Sequence, residues 1–197
     1  MSESIAVPPP PAAFANAVSA VRSATLRSEL AVSEIAAPAG VAPWSLALAA
    51  DVTPTRHGSD SDFGTGRFIL LHDPALPNAW GGSFRIVCFA QAPLEAELGV
   101  DPFLASVAWS WLVDALDSRG ARYTSASGTA TKTLSTGFGQ LATHEDAAQI
   151  ELRASWSPLE TDLASHVEAW SDLLCMLAGL PPATEGVSLL AARRGHA

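Results

Sequence analysis

Between residues 148 and 156 every second side chain is apolar: Ala148, Ile150, Leu152, Ala154 and Trp156 alternate with Gln149, Glu151, Arg153 and Ser155. Side chains leave a strand alternately to its two sides, so a period of two dictates a strand with one face in a core and one polar face. Such a strand belongs in an antiparallel sheet with a wet side, because strands of a parallel sheet are covered on both faces and read as continuous apolar runs. The same period governs Trp44, Leu46, Leu48, Ala50 and Val52. "GRFILLHDP" and "GSFRIVCFAQA" predict two further strands, joined by the turn-rich "ALPNAWGG". In the second, Phe84, Ile86, Cys88 and Ala90 face one way, while Val87 and Phe89 share the other side with Arg85 and Gln91. Apolar residues on both sides predict a central strand covered, at least in part, on both faces. "ELAVSEIAAPAG" reads as a strand closed by a turn at Pro38 and Gly40, and the Thr- and Ser-rich stretch 121–135 as a long, half-exposed partner of 148–156.

Helical signals separate these strands. A weak helix is expected from Ala12 to about Arg22. Asp101 as N-cap, Pro102 at the first helical position and Gly120 as a stop predict a second helix. At about 100° per residue its Ser106, Ser110, Asp114 and Asp117 form one narrow polar stripe, and apolar residues occupy the rest. Trp109 and Trp111 then stand about 160° apart, so each must meet a different neighbour: one the sheet, the other a second helix, the N-terminal segment or a partner molecule. A third helix is expected to start from a capping box at Ser157, Pro158 and Glu160 and to end at Gly179, before Pro181 and Pro182. Its stripe of Leu163, Val167, Trp170, Leu174 and Leu177 faces the sheet, with Ser165, Glu168 and Asp172 opposite. The order α-β-β-β-β-α-β-β-α is that of an α+β fold: a mostly antiparallel sheet of about six strands with two main helices packed on it. "AWS" recurs at 108–110 and 169–171 in helices that each follow two strands, as a duplicated strand-strand-helix unit would place it.

The 197 residues suit one domain, assigned to 12–182, between a proline-rich disordered tail at 1–11 and a disordered C-terminal tail at 183–197. Apolar side chains make up 48% of the chain, yet no run approaches the roughly 18 residues of a membrane span, and no export signal opens it. A net charge of −9, with eleven scattered Lys and Arg residues, opposes direct binding to nucleic acid. Cys88 and Cys175 lie within apolar patterns and read as reduced, buried thiols, which suggests the cytoplasm.

Phosphate loops, nucleophile elbows, zinc-binding helices and paired cysteines are all missing from the sequence, so no cofactor and no metal is implied. His72 and Asp73 end a strand before Pro74, where an imidazole beside an acid serves as a base or where Asp-Pro serves only as a turn. Arg85 and Arg153 are the cations such an enzyme would use on a small substrate. Six tryptophans are the more informative excess. Trp44, Trp156 and Trp170 fall on apolar faces. Trp80, beside two glycines in a connector, and whichever of Trp109 and Trp111 faces away from the sheet are candidate contacts for a partner. Two readings follow: a non-enzymatic module binding a protein partner, a second copy as a homodimer, or a small molecule through tryptophans or the polar sheet face; or an enzyme centred on His72 and Asp73.

"GRFILLHDP", "AWGGSFRIV", "DPFLASVAWSWLVDAL", "RASWSPLETDL" and "HVEAWSDLLCMLAGLPP" together resemble the uncharacterised actinobacterial DUF-three-thousand family, over roughly residues 14 to 182. The resemblance carries no assigned catalytic residues. It implies a cytoplasmic protein and, through genes near that of a ribonuclease D-like exonuclease, an accessory role in RNA metabolism acting through a protein partner. The alternation of elements is also loosely similar to secretion-chaperone-like α+β folds, which concerns fold alone.

Overall fold

A computed structural model describes residues 9–53, 63–75, 80–142 and 146–181. The leader as far as residue 8, the tail from residue 183, His57 and His144 lie outside the described residues. Helix α1 (Ala12–Ser23) precedes four strands, β1 (Leu30–Ile35), β2 (Trp44–Val52), β3 (Thr65–His72) and β4 (Phe84–Leu94). A single turn, α2 (Ala96–Gly99), leads into α3 (Leu104–Ser118). The chain then forms β5 (Tyr123–Ser135), a 3-10 turn (Gly139–Leu141), β6 (Ala147–Pro158) and α4 (Ala164–Leu177). The six strands make one sheet in the order β1-β2-β3-β4-β6-β5, and every neighbouring pair is antiparallel. The architecture is therefore the α+β one read from the alternation, with α2 added.

Register explains why one face is core. Leu48, Phe68, Cys88, Ala154 and Gly128 stand opposite one another across five strands, and the rows on either side of them on that face include Leu46, Leu70, Ile86 and Trp156, then Ala50, Ala90 and Leu152. With the exception of Gly128, all of these are buried. Helix α4 packs across β3 and β4, α3 lies between α4 and the β5 end of the sheet, and α1 rests against α4. Gly66 is the point of closest approach: a methyl added there would overlap both δ-methyls of Leu174 and crowd the Phe89 carbonyl. Gly66→Ala is accordingly expected to destabilise by about 2 kcal/mol, as overpacked cores do, read as a lowered urea midpoint with an unchanged slope. An unchanged midpoint would mean that Leu174 repacks freely.

The structure corrects four local expectations. Ser157 and Pro158 do not begin the last helix; they complete β6, and Ser157 is fully buried. The helix starts at Ala164, where Asp162 Oδ1 accepts the Ala164 N–H at 3.2 Å. Pairing with Tyr123 and Thr124 of β5 extends β6 by two residues and overrides the local capping signal. Asp101 caps a turn ahead of the helix, accepting the Phe103 N–H at 2.8 Å, and α3 begins at Leu104 and not at Pro102. The polar side of α4 is not solvated, since ten of its fourteen residues are buried, Ser171 and Asp172 among them. Lastly, β4 is covered by helices on one face only, and Arg85, Val87, Phe89 and Gln91 stand half-buried on the other. The two C-terminal glycines behave as read: Ala121 and Leu180 donate back to Leu116 and Cys175 across left-handed Gly120 and Gly179.

Candidate functional site

Odd-numbered residues of β2, β3, β4 and β6 point to the face away from the helices. One row across that face reads Ala49, Arg67, Phe89, Arg153, Thr129, so two arginines flank a phenylalanine in register, about 10 Å apart across two strand spacings. The Arg153 guanidinium stands 5.7 Å from the centre of the Phe89 ring, a cation–π contact, and its Nε donates to Glu151 Oε1 at 2.6 Å. Arg67 is exposed and has no hydrogen-bond or ion-pair partner among the described residues. With Thr65, Ile69, Val87 and Gln91 these residues line an open groove of about 520 Å³. The neighbouring row contributes two acids, Asp51 and Glu151, of which Glu151 is committed to Arg153.

Next along β4, Arg85 builds a second cluster. Its Nη1 donates to the Ser125 carbonyl at 2.9 Å and to Ser157 Oγ at 3.1 Å, and its Nη2 to Ser155 Oγ at 2.7 Å, with a longer bond to Ser127 Oγ. Ser125 sits at a bulge in β5 with a φ of 54°, the one left-handed non-glycine among the described residues, and this turn aims its carbonyl at the guanidinium. Ser157 donates in turn to the Trp80 carbonyl, which ties the β3–β4 connector to β6. Among the described residues only neutral oxygens hold Arg85, and its partial burial lowers its pKa. The Arg85 donors are taken up by β5 and β6, so the cluster acts as a clamp across β4, β6 and β5.

His72 and Asp73 part company. The imidazole is buried on the helix side among Phe84, Trp44 and Phe14, with ring centres 4.3, 5.9 and 6.0 Å away, and Nδ1–H donates to the Ser83 carbonyl at 3.0 Å. Burial lowers its pKa, so it is held neutral. Asp73 turns outward and accepts the Ala75 N–H at 2.8 Å, an ordinary Asx turn. No hydrogen bond joins the two residues, and the pair has no geometry for passing a proton.

None of the six tryptophans is exposed: Trp156 and Trp170 are fully buried, and Trp44, Trp80, Trp109 and Trp111 are half-buried. Trp109 is the one that meets the sheet, its ring lying so close over Gly128 of β5 that a methyl there would overlap it. Trp111 packs against the core from the other side of α3. The open-face row therefore joins Arg153, expected from the sequence, to Arg67 and Phe89, which sequence reading missed. The missing signal was register, since Arg67 is legible as a neighbour of Phe89 only once β3 and β4 are aligned.

The family model for Protein of unknown function (DUF3000) matches residues 10–188, nearly the whole chain. This chain belongs to the DUF3000 family. No curated protein and no solved structure matches it. Among the described residues of this DUF3000 protein, no helix is long and apolar enough to cross a membrane, and no group of three or more His, Cys, Asp or Glu side chains is gathered to hold a metal.

Proposed function

We propose that this protein is a non-enzymatic binding module whose open sheet face holds a small acid with an apolar body. The observation that carries this reading is Arg67, a cation with no partner among the described residues, beside a ring that Arg153 already borders, in a groove of ligand size. A carboxylate on Arg67 forms a charge-assisted pair, while Phe89, Val87 and Ile69 supply apolar contact for the rest of the molecule. The neutral, caged His72 supports binding over catalysis. Free, buried Cys88 and Cys175, whose thiols burial pushes up to about 12 and about 11, support a reducing, cytoplasmic setting.

Titration calorimetry with octanoate and with phenylacetate tests the reading. The wild-type chain is expected to bind at least one of them, and Arg67→Glu to weaken that binding by about tenfold or more, the worth of one charged hydrogen bond. Absence of heat with both acids, or equal affinity in the variant, sinks it.

A further inference from the structure

We infer that two copies of this chain pair through their β5 edges into one continuous sheet, with Thr131 on the two-fold axis. The inference is independent of the groove. Strand β5 is the last in the sheet order, thirteen residues long, and its outer side has no strand partner among the described residues. An open edge is a row of unpaired backbone donors and acceptors, which natural proteins blunt with proline, charge, shortness or a bulge. The opposite edge, β1, is blunted by length, at six residues, and carries Glu34 bound to Arg22. Strand β5 has a bulge only at its start, between Thr124 and Ser127. From Ser127 to Ser135 it runs in unbroken register, with no proline and no acid. Its one charge, Lys132, is drawn back onto the Asp101 carbonyl at 2.6 Å.

That regular stretch is complementary to itself. An antiparallel pair about Thr131 sets Thr129 against Thr133 and Ser127 against Ser135, so the nine residues pair end to end. Threonine facing threonine or serine is a favourable cross-strand combination. On the helix side the same register sets Lys132 opposite Ala130, with no like charges apposed, and Leu134 opposite Gly128. Gly128 is where Trp109 lies, so the 52%-exposed Leu134 of one copy arrives at the half-buried indole of the other. Leu134 packs on Gly99 of α2, whose neighbours Leu98 and Val100 are exposed, as is Phe103, at 70%, just before α3. Strand β5 is free of acid in a chain of net charge −9, so two copies meet there without the repulsion expected over most of their surface. Nine residues span about 30 Å, and a sheet plus one helix layer stands about 20 Å high. That is about 600 Å² per copy, the lower range of specific interfaces.

Sedimentation of the full chain is expected to show a species of twice the 20.4 kDa chain mass at micromolar concentration. Thr131→Cys supplies the register test, because only a residue on the axis faces its own copy at disulfide distance. Thr131 and Thr129 are both exposed, and the native thiols are buried, so neither variant disturbs the core and no other sulfur competes. Mild oxidation is expected to cross-link the Thr131→Cys protein at least tenfold faster than Thr129→Cys. A monomer up to about 100 µM, or cross-linking at equal rates in the two variants, overturns the inference.

Discussion

Arg119→Ala is expected to cost about 3 kcal/mol of stability, because it removes the guanidinium that bonds two largely buried carboxylates of α4. Arg119 Nε donates to Asp172 Oδ2 at 2.7 Å and Nη1 to Glu168 Oε2 at 3.1 Å, with the three side chains about one-fifth exposed or less. Glu168 also accepts the Thr25 N–H at 2.9 Å, and Ser171 Oγ accepts the Arg27 N–H at 2.8 Å. One polar cluster thus fastens the C-terminal end of α3 and the α1–β1 connector to α4. Without the guanidinium, two carboxylates share a half-dry site, and the second oxygen of Asp172 already lacks a hydrogen bond among the described residues. Urea unfolding checks the size of the effect, and adding Asp172→Asn to the variant is expected to recover part of the loss. A change below about 1 kcal/mol would show that solvent screens the cluster as it does surface pairs.

Acid is expected to weaken the fold by about 3 kcal/mol between neutrality and pH 4, chiefly through His166. Its Nδ1 accepts the Trp156 Nε1–H at 3.1 Å, so the ring proton resides on Nε2, 3.6 Å from Glu160 Oε1. A second proton must go to Nδ1, where it would displace the indole. Burial pushes the pKa from 6.5 down to about 4, against the opposing pull of Glu160 and Asp162. The unfolded chain then binds the proton more readily than the folded one. The stabilisation is complete above pH 6.5, declines as the pH falls, and is gone once the folded pKa is passed. His72, also lowered by burial, acts in the same direction. Glu29, held at about 2 by its bond to Arg27, loses its contribution lower down, as the pH falls from 4.5 towards 2. In His166→Asn the amide oxygen can take the indole proton without titrating. Denaturation at pH 7 and pH 4.5 should therefore differ much less in the variant; an equal difference would place the acid sensitivity elsewhere.

Strands and helices were legible where one side chain pattern had one interpretation. The alternation of β6 matched burial residue by residue from 148 to 156, where period alone decides which side is dry, and the stripe residues of α4 are all buried, although its opposite side is largely buried too. Legibility failed where distant segments compete for the same residues. Ser157 reads as a cap, yet it is held in β6 by pairing with Thr124 and by bonds to Arg85 and the Trp80 carbonyl, none of which is local. Glu168 and Asp172 read as solvated until the partners fixed by tertiary packing, Arg119 and Thr25, are known. The candidate site was half visible for the same reason: Arg85 and Arg153 were in view, whereas Arg67 and Phe89 acquire meaning only across an aligned row.

The placement of β6 between β4 and β5 bears on how the molecule is made. As the polypeptide emerges from a ribosome, β1 to β4 pair with their predecessors in turn, but β5 arrives with no adjacent strand to join. It must wait, solvated, until the following segment is synthesised and inserts on the flank of β4. Synthesis therefore divides into an early meander and a late completion, and the interval between them is when a nascent chain is most open to capture by a chaperone or by a neighbour of its own kind.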